Sequence, residues 1–127
     1  MKRMYIAIFV IILCISFGLY EMYAVDNLVK ECNSGFEKVD KNIKDGDYLS
    51  AYKESIKNAK KYEEKSSSIM YCYFNHTELD SLEWNMYQMA EFVKYNQMGD
   101  YYALKSATKK QLQSIKEEEL FEIQNIL

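Results

Sequence analysis

The apolar residues of the chain fall into one continuous run followed by four interrupted stripes. The run extends from Met4 to Tyr20, broken only by Ser16 and Gly18, and Glu21 ends it. Its seventeen residues sit at the short end of what crosses a hydrocarbon core about 30 Å thick. Lys2 and Arg3 precede it, and Tyr5, Tyr20 and Tyr23 stand at its two ends, where amphipathic rings favour the headgroup layer. The pattern predicts a transmembrane helix over residues 1–21. Its positive end stays cytoplasmic, and residues 22–127 lie outside the cell membrane. A cleavable signal is the competing reading, since Ser16-Phe17-Gly18 has small-x-small spacing. Leu13 before Cys14 argues against a lipoprotein signal.

The first stripe is Val25, Leu28, Cys32, Phe36, Val39 and Ile43, whose spacings of three and four are those of a helix. Asn33-Ser34-Gly35 is a weak point where this helix is expected to bend. The second stripe is Tyr48, Tyr52, Ser55/Ile56, Ala59, Tyr62, Ser66, Ile69 and Tyr73. The third is Leu79, Leu82, Met86, Met89/Ala90 and Val93, and the fourth is Tyr101, Leu104, Thr108, Leu112 and Ile115. Two Gly-Asp pairs punctuate them. Gly46 can take the left-handed conformation that ends a helix, and Asp47 can cap the next one. Gly99 and Asp100 are expected to do the same, because Gly46-Asp47-Tyr48 recurs as Gly99-Asp100-Tyr101 fifty-three residues later. Two hairpins packed together make an all-α fold, an antiparallel four-helix bundle behind the N-terminal transmembrane helix. A short apolar C-terminal tail (Leu120, Phe121, Ile123, Ile126, Leu127) packs on it.

Counting along the helices from Gly46 sets Tyr71, Tyr73 and Phe74 level with Tyr20 and Tyr23, which would give one aromatic belt at the membrane surface. The same count separates Cys32 from Cys72 by roughly 18 Å along the bundle, beyond disulfide reach.

Composition narrows the functional classes. There is no proline and there are only four glycines, which argues against a turn-rich β fold. Sixteen basic and nineteen acidic residues give a net charge of −3, and Arg3 is the sole arginine. Nucleic acid is therefore not an expected partner. The lysines between Lys53 and Lys65 alternate with glutamates and read as a solvated face. No phosphate loop, nucleophile elbow, zinc spacing or Glu-x-x-His pair is present. Neither a cofactor, a metal nor an enzymatic activity is expected. The one polar motif of note is His76, Glu78 and Asp80 at the start of the third stripe, and a histidine there most simply caps the helix.

The anchor, the Gly-Asp turn, His76-x-Glu78-Leu79-Asp80 opening the third helix and the ending Leu120…Asn125-Ile126-Leu127 together resemble a bacterial family of small membrane-anchored helical proteins. It is the domain-of-unknown-function family 4363. His76, Glu78 and Asp80 match its most recognisable motif. Tyr73-Phe74 stands where a tryptophan is expected, and no proline precedes the tail. This departure leaves two conformations open to the tail, an extended segment across the bundle or a continuation of the fourth helix. The resemblance implies no enzyme activity and carries over no catalytic residue. The function expected is an interaction or accessory module for another membrane protein. The alternative is a ligand-sensing bundle that signals through a partner. An enzyme built on His76 with Glu78 or Asp80 is the least supported reading.

Overall fold

The computed structural model describes residues 1–70 and 76–126. It contains four helices: α1 (Lys2–Lys44), α2 (Tyr48–Met70), α3 (His76–Lys94) and α4 (Met98–Ile126). α1 packs beside α2 and α4, and α3 packs beside the same two. The arrangement is an up-down-up-down bundle with each helix antiparallel to its two neighbours, which short connections enforce.

The core is built from the stripes, except that Tyr48 at the head of the second is 46% exposed and lies outside it. Val25, Leu28, Cys32, Phe36 and Val39 of α1 are buried with Leu79, Leu82, Met86, Met89 and Val93 of α3, and with Tyr101, Leu112 and Ile115 of α4. α2 supplies smaller groups, Ala51, Ser55, Asn58, Ala59 and Ser66, together with the large ring of Tyr62. A helix presenting small side chains lets its neighbour approach closely. Gly35 completes that fit: a Cβ there would lie 2.2 Å from Cγ of Asn58. α1 is not broken at Asn33-Ser34-Gly35: Gly35 lies within the uninterrupted helix and serves packing.

Both described turns are built alike. After α1, Gly46 adopts φ 75°, its N–H bonds to Ile43 O and the N–H of Asp47 reaches Asn42 O. This is a Schellman ending. Asp47 then caps α2, accepting from Ser50 N at 3.1 Å and from Ser50 Oγ at 2.7 Å. The second turn corrects the sequence expectation. α3 ends at Lys94 and the left-handed residue is Asn96, φ 56°, with Asn96 N bonded to Val93 O and Gln97 N to Phe92 O. Gly99 and Asp100 are not the turn; they lie in the first turn of α4. The structural repeat therefore has a period of fifty residues, Gly46 matching Asn96, rather than the fifty-three suggested by Gly-Asp-Tyr. Asparagine tolerates the left-handed region better than other non-glycine residues, which explains how a turn without glycine stood there.

The tail continues α4 as helix to Ile126 and is not extended. At the other end, α1 is one helix from Lys2 into the bundle. Its first half is long and apolar enough to cross a membrane and contains no buried residue, a character that a signal sequence shares.

Candidate functional site

Two acids of the sequence motif at the start of α3, Glu78 and Asp80, lie on different sides of the helix. His76 is the first residue of α3. Glu78 lies in the first turn and is half-buried, and Asp80 is exposed. Residues two apart on a helix do not face each other, so Glu78 and Asp80 point to different sides. Among the described residues no group of three histidine, cysteine or acidic side chains is placed to hold a metal ion. Tyr71, Tyr73 and Phe74 lie outside the described residues. Tyr20 and Tyr23 are both exposed on α1, beyond the first buried residue, Val25.

Asp80 belongs to a different cluster. With Glu83, Trp84 and Tyr87 it lines a shallow surface cleft along α3. Trp84, the sole tryptophan, is 75% exposed. Tyr87 donates its hydroxyl to Glu63 of α2 at 2.5 Å, and this bond to a carboxylate pushes the phenol up to about 12. Partial burial, and then the charges of Glu63 and Asp80, raise the carboxyl of Glu83 above the usual range. The patch is thus an indole lying open on an acidic surface. Sequence reasoning passed over it because Trp84 falls between core positions Leu82 and Met86, and only the helical register shows which way it faces.

Polar ties hold the helices around this surface. The buried hydroxyl of Tyr62 donates to the backbone carbonyl of Leu79 at 2.8 Å and links α2 to α3. Burial pushes that phenol well above its ordinary range. Asp40 of α1 accepts from Tyr101 at 3.1 Å and from Lys105 at 2.5 Å on α4. Lower down, Lys116 of α4 and Lys30 of α1 meet the two oxygens of Asp26 at 2.8 and 3.0 Å. The hydrogen bond from Lys116, then that from Lys30, holds the Asp26 carboxyl below its usual value. Lys65 pairs with Glu31 across α1 and α2. Cys32 is a free, buried thiol pushed up to about 12 by that burial, so it behaves as a small hydrophobe.

Two clefts open where the bundle meets the apolar half of α1. One, about 200 Å³, is bounded by Tyr20, Tyr23, Asn27 and, from α2, Lys65 and Ser68. The other, about 300 Å³, lies between α1 and α4 against Met22, Tyr23, Asp26, Lys116 and Leu120.

The model of one protein family, described as a domain of unknown function (DUF4363), matches residues 19–126. The chain belongs to that family. The matched region begins where the apolar run ends and covers the bundle of this chain. No curated protein and no solved structure matches the chain.

Proposed function

We propose that this chain is a single-pass, membrane-anchored, extracytoplasmic module that carries no catalytic activity and serves as an accessory or interaction subunit for another membrane protein. The observation that supports it is α1. Its apolar half has no buried residue, and the same helix runs without interruption into the bundle core at Val25. Such a helix in water would leave a long row of Ile, Phe and Leu side chains solvated, and a bilayer removes that cost. Lys2 and Arg3 at its start favour an N-terminus in the cytoplasm.

The partner reading draws on Trp84. The core positions are occupied by the bundle's own side chains, and the exposed indole with Tyr87 on an acidic rim has the composition of a protein-contact centre. Photo-crosslinking in native membranes from a reactive group at position 84 is expected to capture one discrete protein. A reactive group at exposed Lys109 of α4 serves as the comparison. Recovery of no protein from position 84, or of the same diffuse set from both positions, would count against the partner.

A further inference from the structure

Among the described residues α4 is the helix that runs furthest beside α1 past the level of Val25; those of α2 end at Met70, just beyond Ser68 in the cleft with Tyr20 and Tyr23. Lys116 bonds Asp26, and Leu120 lines the cleft beside Met22 and Tyr23, which fixes the register of the antiparallel pair. From Leu120 the helix continues to Ile126, about 9 Å further at 1.5 Å per residue. The last turn therefore lies beside residues of about 16–20 of α1, inside the apolar run and beyond Glu21, the first acid after it. On this stretch Leu120 is 48% and Phe121 64% exposed, while Gln124 and Asn125 are also exposed and polar. Lys116 sits one turn above, in the same cleft as the exposed ring of Tyr23.

We propose that the C-terminal end of α4, from Leu120 to Ile126, is a second membrane contact, dipping into the headgroup and outer acyl layer alongside the anchor. This rests on the reading of α1 as a membrane anchor. The bilayer is the occupant because the exposed apolar pair is continuous in height with the apolar run. Water at that depth has been displaced by lipid along α1. The mixed character of the segment suits an interfacial rather than a spanning position: apolar Leu120 and Phe121 lie level with Met22 and Glu21 where the apolar run ends, polar Gln124 and Asn125 follow one turn further in, and Lys116 extends its stem along the same boundary. Glu117, Glu118, Glu119 and Glu122 make the stretch acidic, so it favours zwitterionic over anionic lipid.

The test uses the full chain reconstituted in phosphatidylcholine vesicles, with Trp84→Phe to remove the native indole. Single reporters are then introduced by Phe121→Trp, by Phe17→Trp in the anchor and by Tyr102→Trp at the far end of α4. Brominated phosphatidylcholine is expected to quench the reporters at 17 and 121 and shift both emissions to the blue, with no loss at 102. Quenching at 17 with position 121 behaving like position 102 overturns the proposal and leaves the anchor standing. Absence of quenching at 17 as well as at 121 removes the anchor and this proposal together.

Discussion

At the scale of single residues, Gly35 packs closely against Asn58. The amide Nδ2 of Asn58 donates to Cys32 O at 3.3 Å, so the side chain is held over the glycine rather than turned away. A Cβ at position 35 would fall on that amide group, and its nearest three atoms all belong to it. Gly35→Ala is therefore expected to destabilise the bundle by about 1–3 kcal/mol, the usual cost of overpacking, although alanine is the better helix former. In an Asn58→Ala background the obstructing amide is gone, and the same change is expected to cost little or to stabilise. A double-mutant cycle in chemical denaturation reads the coupling. Equal costs in both backgrounds would show that Gly35 acts through α1 alone. The sequence displayed this glycine but not its purpose: composition marks it as a weak helix residue, whereas its role depends on a side chain twenty-three positions away on another helix.

At the scale of elements, the four stripes were legible because burial on a helix follows its period. Val25, Leu28, Cys32, Phe36 and Val39 are all buried as the spacing requires, and so is every position named for α3. The second turn was not legible. Its decisive feature is a backbone angle at Asn96, and the more conspicuous Gly99 drew the boundary three residues too late. Asn96→Ala is expected to cost about 1 kcal/mol, because alanine in the left-handed region clashes with the following carbonyl, while Asn96→Gly should be tolerated without loss. Gly99→Ala, in an open helical position with nothing within 4 Å of the new Cβ, should instead stabilise by up to about 1 kcal/mol. Thermal melts of the three variants separate the two assignments: a loss at 99 with none at 96 would restore Gly99 as the turn residue.

The pairing of α1 with α4 has its own signature in pH. Asp26 joins the two helices through Lys116, and its carboxyl is held below the ordinary value of 3.8, so the folded state binds its proton less readily than the unfolded chain. The stabilisation is complete above that ordinary value and is lost as pH falls through the lower, folded one. Asp26→Asn should therefore reduce stability by about 0.5–1 kcal/mol at neutral pH, the range for a partly screened ion pair. The gap to the unaltered protein should close in acid. Urea titrations at neutral pH and at about pH 3 measure it. A gap that persists undiminished in acid would place the effect in packing rather than charge.

For the whole molecule, the fifty-residue repeat defines how the bundle is assembled. Val29 and Leu79, Cys32 and Leu82, Phe36 and Met86, Val39 and Met89 are buried in matching pairs on α1 and α3. Ala51 and Tyr101, Asn58 and Thr108, Tyr62 and Leu112 do the same on α2 and α4. The partners differ in size, so the two hairpins do not close on themselves but complement each other: small residues of α2 face the large rings and chains of its neighbours. The symmetry ends at the lower end, where α1 runs on into its apolar half and α4 runs on beside it.

This separation of parts carries a prediction for the molecule as a whole. No residue before Val25 is buried, so the apolar half of α1 contributes nothing to the core that the rest of the chain needs. A chain beginning at Glu21 is accordingly expected to fold in aqueous buffer to the same bundle, with strong helical circular dichroism and one cooperative unfolding transition. Tyr62→Phe supplies the control for identity of fold. It removes the bond to Leu79 O while keeping the ring, and should lower stability by about 1 kcal/mol in the shortened chain and by the same amount in the full chain in detergent. A broad, non-cooperative transition for the shortened chain, or a Tyr62→Phe effect confined to the full chain, would mean that the apolar segment is part of the folding unit. Equal effects would establish that the bundle and the apolar segment, though joined by one continuous helix, are stabilised independently, the bundle by its own core.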